Sequence, residues 1–257
     1  MLKASSIMLF LAFSLTGCWA LPPRVDDPAP ESELRQVVER FDRVNNPKKI
    51  KCRSYYIQQS AVAENIQMYA RMETHGNLDK KQIRTVISIP GMPKQIQLYD
   101  GRKGYNITPG VQSKVLQGDA ESFLRYSAKY AKPWSCLSEE YEKMELDKNN
   151  HVINGKNCFR IVAQPAGEPT LPPVELFIDR ETYLPVRTKC ITPTEMGKIP
   201  NTVDYLTFRK IHGAMVGETV KMQQLNIVLT AELQELKLNC PIPDSIFDAE
   251  KVENEEE

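Results

Sequence analysis

Asn154-Gly155-Lys156-Asn157-Cys158-Phe159-Arg160-Ile161-Val162, Val174-Glu175-Leu176-Phe177-Ile178-Asp179 and Leu184-Pro185-Val186-Arg187-Thr188-Lys189 decide the fold of this chain. Three β-rich runs are separated by a Pro-rich excursion and a polar turn, and an Asn-Gly pair precedes the first. Asn-Gly favours a two-residue hairpin because both positions accept positive φ at little cost. No nucleophile, base or metal-binding cluster interrupts the runs. The stretch reads as one patch of a large antiparallel sheet.

The pattern continues on both sides. Downstream, 202–211 alternates, with Val203, Tyr205, Thr207 and Ile211 opposite Leu206 and Phe208. His212-Gly213 turns into 215–223, and a slip in phase from Leu233 to Leu236 within 227–238 predicts a β-bulge. Upstream, 141–146 and 151–153 are short strand candidates, preceded by 49–59, 64–73, 83–89, 95–99 and 103–107. In 64–73, Ile66, Met68, Ala70 and Met72 share one face of a half-buried strand. Asp100-Gly101 marks another hairpin.

Two stretches have helical periodicity. Leu34, Val37, Val38, Phe41 and Val44 form a stripe that begins at Glu31 or Ser32 and ends at Asn45-Asn46-Pro47, because the residue before proline avoids helix. Asp119 is positioned to cap a second helix from Ala120, with Phe123, Leu124, Ser127 and Tyr130 facing one way. The expected fold is mainly β: about 11 antiparallel strands in one curved sheet, curled by its own twist into an incomplete barrel. Two or so helices cover the concave face, and residues 32–247 form a single domain.

Composition removes several functions. The 257 residues are 41% hydrophobic and 26% charged, and Lys+Arg equals Asp+Glu at 33 each, leaving no cationic excess for nucleic acid. The longest apolar run, 7–15, is too short to span a bilayer as a helix. With Lys3 before it and Leu15-Thr16-Gly17-Cys18 after it, the run has the layout of a secretory signal peptide. Those last four residues are similar to a bacterial lipobox, in which cleavage precedes the Cys and its thiol takes a diacylglycerol. Residues 1–17 are then the signal peptide, Cys18 the lipidation site, 18–31 a Pro-rich tether and 248–257 a disordered acidic tail. Trp19 rather than Asp after the Cys points to the outer membrane, facing the periplasm. An ordinary signal peptide cut after Ala20 is the alternative.

Tyr99-Asp100-Gly101-Arg102-Lys103-Gly104-Tyr105, the 154–161 and 176–187 hairpin segments, Tyr205-Leu206-Thr207-Phe208-Arg209-Lys210-Ile211-His212-Gly213 and Asn239-Cys240-Pro241-Ile242-Pro243-Asp244-Ser245-Ile246-Phe247 follow one another in a telling order. That order resembles the outer-membrane lipoprotein-sorting family, with its LolA/LolB-like fold, which also includes RseB-type regulators. The resemblance implies non-covalent binding of acyl chains or lipoproteins in a hydrophobic half-barrel, in lipoprotein sorting or lipid transport, without a cofactor. The candidate lining is Phe41, Ile66, Met68, Met72, Ile87, Leu98, Phe123, Phe177 and Phe208. The second reading is an RseB-like regulatory or scaffold module that binds an envelope protein partner.

Enzymatic signatures are missing from the sequence. His75, His151 and His212 lie on separate turns, and no Cys/His spacing suits a metal. Asp179 and Glu181 read as solvated turn residues. Besides Cys18 the chain has Cys52, Cys136, Cys158, Cys190 and Cys240, so pairing would leave one over. Cys158 and Cys190 fall on next-but-one strands, about twice the ~4.8 Å strand spacing and beyond the ~7 Å Cα limit for a disulfide. The other pairings stay open.

Overall fold

The computed structural model describes residues 23–254 apart from 195–196. The expected signal peptide, the expected lipidation site Cys18 and the last three residues lie outside the described residues. Each element forms where the sequence changes period. The strands are β1 (Ser54–Ala63), β2 (Met68–Asn77), β3 (Gln82–Ser88), β4 (Gln95–Tyr99), β5 (Gly104–Ile107), β6 (Lys114–Val115), β7 (Tyr141–Ile153), β8 (Lys156–Pro165), β9 (Val174–Asp179), β10 (Pro185–Thr194), β11 (Gly197–Ile211), β12 (Ala214–Gln224) and β13 (Ile227–Leu238). The helices are α1 (Glu31–Asn45), α2 (Gly118–Tyr130), α3 (Leu137–Glu140) and α4 (Ala249–Glu253).

All 13 strands belong to one antiparallel sheet, ordered β6-β5-β4-β3-β2-β1-β13-β12-β11-β10-β9-β8-β7, so it has two edges and is not a closed barrel. The strand count exceeds expectation. The two-residue β6 has too little sequence to show a pattern, while 141–146 and 151–153 fuse across bulges into β7. The first and last strands pair with each other, joining the two halves of the chain. The skipped residue in β13 falls between Leu233 and Glu235, where the slip in phase placed it. Asn154 and Gly155 both have positive φ, as do His212 and Gly213. At the third hairpin Asp100 instead accepts from the N–H groups of Arg102 and Lys103, each at 2.7 Å.

Directly opposed residues share a face of the sheet. Following them from Tyr99 and Ile83 through Gly76, Tyr55, Leu238, then Ala231, Val220, Tyr205, and finally Leu176, Ile161 and Leu146 traces one concave face. Gly76 is required there, because a Cβ would sit 2.2 Å from the buried Tyr55 ring. Both flanks of this face are tightly packed. On one, Val37, Val38 and Phe41 of α1 meet Leu137 of α3 and Phe159, Ile161, Leu176 and Ile178 of the sheet. On the other, Ala120, Leu124 and Ala128 of α2 cover Ile83 and Tyr99.

Several expectations need correction. Asp119 does not cap α2: the residue before the helix is Gln117, without a side-chain cap, and Asp119 pairs with Lys198 at 3.1 Å. The buried side of α2 is Ala120, Ser122, Leu124 and Ala128, and the three small residues among them allow a close approach to the sheet. The acidic tail is not disordered throughout. Asp248 caps α4 by accepting from Glu250 and Lys251, and Val252 is fully buried beside Phe247, Leu98 and Ile107. Within the expected tether, Asp27 to Ala29 lie along edge strand β7, with Ala29 N–H donating to Leu146 O and Lys148 N–H to Asp27 O.

Candidate functional site: a hollow on the concave face

Between the two flanks lies a hollow of about 170 Å³. Its floor is Ile57 and Gln59 of β1, Leu233 of β13, Val216, Gly217 and Val220 of β12, and Tyr205 and Phe208 of β11. Its roof is Asn45 and the loop Lys132-Pro133-Trp134-Ser135. The roof is held from both ends. Asn45, almost fully buried, donates through Nδ2 to Phe41 O at 2.9 Å and to Tyr183 O at 3.3 Å. Asp42 accepts from the N–H groups of Leu137 and Ser138 at 2.7 and 3.2 Å, which fixes the start of α3. Pro133 prevents α2 from continuing into the loop, because proline lacks the N–H and clashes with the preceding turn. Trp134 is thereby left buried over the strands, with 3% exposure.

The sheet explains why Phe208 reaches this floor. Register shifts in β11 between Tyr205 and Thr207, and again between Thr207 and Phe208, bring Phe208 onto the same face as Tyr205. The two rings stack at 6.0 Å with an interplanar angle of 11°. Unbroken alternation had placed them on opposite faces. Beyond Gln59, opposed residues extend the concave face to Met72 of β2 and Ile87 of β3, both half-buried. Ala70 lies two residues along from Met72 and borders an open cleft of about 820 Å³ at the sheet rim, formed with Tyr69 and residues 88–94. A continuous, mostly apolar strip therefore runs from the roofed hollow to the rim.

Of the nine candidate lining residues, Phe208 borders the hollow. Met68, Met72 and Ile87 lie half-buried on the same concave face. Phe41 belongs to the packed core under α1, and Phe123 is half-buried on α2. Three are elsewhere. Ile66 is in the 3-10 turn that joins β1 to β2 and is 39% exposed, because the apparent alternation ran on into the turn. Leu98 faces the convex side, packed under Phe247 and Val252. Phe177 is also convex, packed with Cys158 and Val186, because it opposes Arg160 and Arg187 rather than Ile161. Sequence reasoning missed Ile57, Tyr205, Val220, Leu233 and Trp134. Val220 and Tyr205 lay within legible alternation, but the roof had no local signal.

Behind the floor, polar groups gather at the α3–β7 junction. Tyr126 Oη donates to Glu140 O at 2.9 Å. Burial pushes the Glu140 carboxyl up to about 8, against the hydrogen bond from Cys136 N–H at 2.6 Å and the nearby Lys132 charge. Burial likewise holds the Tyr141 and Tyr205 hydroxyls above their ordinary range. The same physics acts on four of the thiols: burial pushes Cys52 up to about 11 and Cys136 up to about 12, and raises Cys158 and Cys190, which disfavours the thiolate. The five described cysteines are free. Cys158 faces the convex side and Cys190 the concave side, so this pair stays apart. Asp179 is buried rather than solvated. Burial raises its carboxyl, but the N–H groups of Glu181 and Thr182 outweigh that and hold it below the usual range. It organises the β9–β10 turn. Among the described residues no cluster of metal-ligating side chains occurs. The arrangement is suited to holding a neutral apolar group out of water.

The sequence matches no family model, and no curated protein sequence matches it significantly. Solved structures do match by shape. A DUF1329 family protein from Desulfovibrio piger superposes with a TM-score of 0.55 at 14% identity, over 87% of this chain and 98% of that one. An outer membrane lipoprotein-sorting protein domain from Vibrio parahaemolyticus gives 0.54 at 9% identity, over 86% and 97%. A LolA superfamily protein from Nitrosomonas europaea gives 0.51 at 15% identity, over 84% and 97%. The chain has the LolA/LolB-like fold.

Proposed function

We propose that this protein is a lipid-anchored protein of the bacterial cell envelope that carries or receives an acyl chain, free or attached to a lipoprotein, on its concave face. The observation that carries this reading is the central strip between two fully packed flanks. Ile57, Met72, Ile87, Tyr205, Phe208 and Val220 along it are only half-buried, although each flank beside it is covered by helix. Covering exposed apolar surface yields ~25 cal/mol per Å², which suffices to hold a chain without a cofactor. The roofed hollow of about 170 Å³ takes the end of such a chain. It is smaller than the ~300–1,000 Å³ typical of ligand pockets, so the remainder follows Met72 and Ala70 toward the rim cleft. Met68 and Met72 suit chains of varied shape, because methionine is flexible and polarisable. The neighbours' names in lipoprotein sorting agree with this reading, and Cys18 supplies the anchor.

One mass-spectrometric experiment tests both parts. Full-length protein isolated from bacterial membranes should release a non-covalently held acyl lipid, such as palmitate or a phospholipid, into organic solvent. Its N-terminal peptide should begin with a diacylglyceryl-modified Cys18. Recovery of the intact leader, or of unmodified Cys18, contradicts the anchor. A lipid-free extract from correctly anchored protein contradicts the cargo.

A further inference from the structure

Net charge is zero over the whole chain, yet cations are concentrated on one rim of the sheet. The segment joining α1 to β1 carries Lys48, Lys49, Lys51 and Arg53 without an acidic residue between them. Asn46 closes this loop, its Oδ1 accepting from Ile50 N–H at 2.9 Å and its Nδ2 donating to Ile50 O at 3.2 Å. Neighbouring elements hold it in place. Asn239, just past β13, accepts from Arg53 N–H at 2.8 Å and donates to Lys51 O at 3.1 Å. The stem of Lys48 lies over the β11–β12 turn, where a Cβ on Gly213 would come within 2.8 Å of it. That contact brings Lys210, at the end of β11, to the same rim. All five cations are exposed. None has a carboxylate partner among the described residues, whereas Arg209 and Lys237 beside them are held by Glu218 and Glu235.

From this we infer that the rim built by Lys48, Lys49, Lys51, Arg53 and Lys210 docks the domain onto an anionic phospholipid surface. Exposed lysines on a braced loop with no carboxylate partner are open to an anionic surface, and each adjacent Lys or Arg contributes ~1 kcal/mol at an anionic bilayer. A bilayer is favoured over other polyanions by the N-terminus. The choice rests on acylation of Cys18. Asp27 is fixed on β7, so only eight residues separate it from Cys18, at most about 30 Å of extended chain. An acylated Cys18 therefore keeps the domain close to the bilayer. The two acyl chains of a diacylglycerol on Cys18 hold the protein at the bilayer, and the basic rim sets which side of the domain lies against it.

The test uses the full chain carrying Cys18→Ser, so that the lipid anchor does not enter the result, and lipid uptake by the concave face is common to both kinds of vesicle. Co-sedimentation is measured with phosphatidylcholine vesicles containing phosphatidylglycerol, and with phosphatidylcholine alone. Binding is expected to the anionic vesicles only, and to weaken as salt rises. The combined Lys48→Gln, Lys49→Gln and Lys51→Gln variant should lower vesicle partitioning by about a hundredfold. Lys143→Gln with Lys221→Gln removes two exposed charges elsewhere and should leave it unchanged. Equal binding to both vesicles, an equal loss in the control variant, or binding to polyglutamate but not to vesicles overturns the proposal. Circular dichroism of each variant separates lost charge from lost fold.

Discussion

Glu140 sits at the end of α3, where burial raises its carboxyl from an ordinary value of 4.5 to about 8. Between those values the folded chain keeps a proton that the unfolded chain has released. Stability therefore falls as pH rises through that window, by a total on the order of a few kcal/mol. Glu140→Gln keeps an oxygen acceptor for the Cys136 N–H and removes the charge. Its Tm should match the native protein near pH 5 and exceed it by several degrees at pH 8, as followed by calorimetry. Parallel Tm profiles across this range would refute the assignment. Residue identity was a good guide where backbone geometry is local, as at Asn154-Gly155 and His212-Gly213. At Phe208 alternation misjudged only the face shared with Tyr205, because two register shifts turned Phe208 without leaving a trace in the sequence.

The C-terminal element shows the same limit at larger scale. Residues after Ala249 are mostly acidic, and composition alone read them as disordered. One turn of helix capped by Asp248 is enough to bury Val252, and Phe247 just before it covers Val86, Ile96 and Leu98 on the convex face. Two apolar residues in an acidic setting show no helical stripe, so their partners across the sheet had to be seen. Phe247→Ala should cost about 3 kcal/mol, as for a large buried aromatic, and Asp248→Ala about 1 kcal/mol. Urea midpoints read both, and equal small effects would mean that the segment does not hold. By contrast α1 was legible almost to the residue. Its stripe of Val37, Val38 and Phe41 faces one continuous wall, so period and packing agree.

At the scale of the molecule, a meander of hairpins was legible but its closure was not. The β1–β13 ladder joins residues nearly 180 apart and leaves no local pattern, and it places Ile57 and Gln59 beside Leu233 in the floor of the hollow. The resulting sheet is packed at both flanks and open along the middle, and that contrast is the basis for assigning it an acyl cargo. The direct test is titration of delipidated protein with a fluorescent fatty acid, comparing the native chain with Val220→Trp, which fills the floor between Tyr205 and Leu233. The account predicts saturable binding with emission shifted as in an apolar site, weakened at least tenfold by the substitution while the far-ultraviolet spectrum is unchanged. Undiminished binding by the filled variant, or no saturable binding by the native chain, would contradict it.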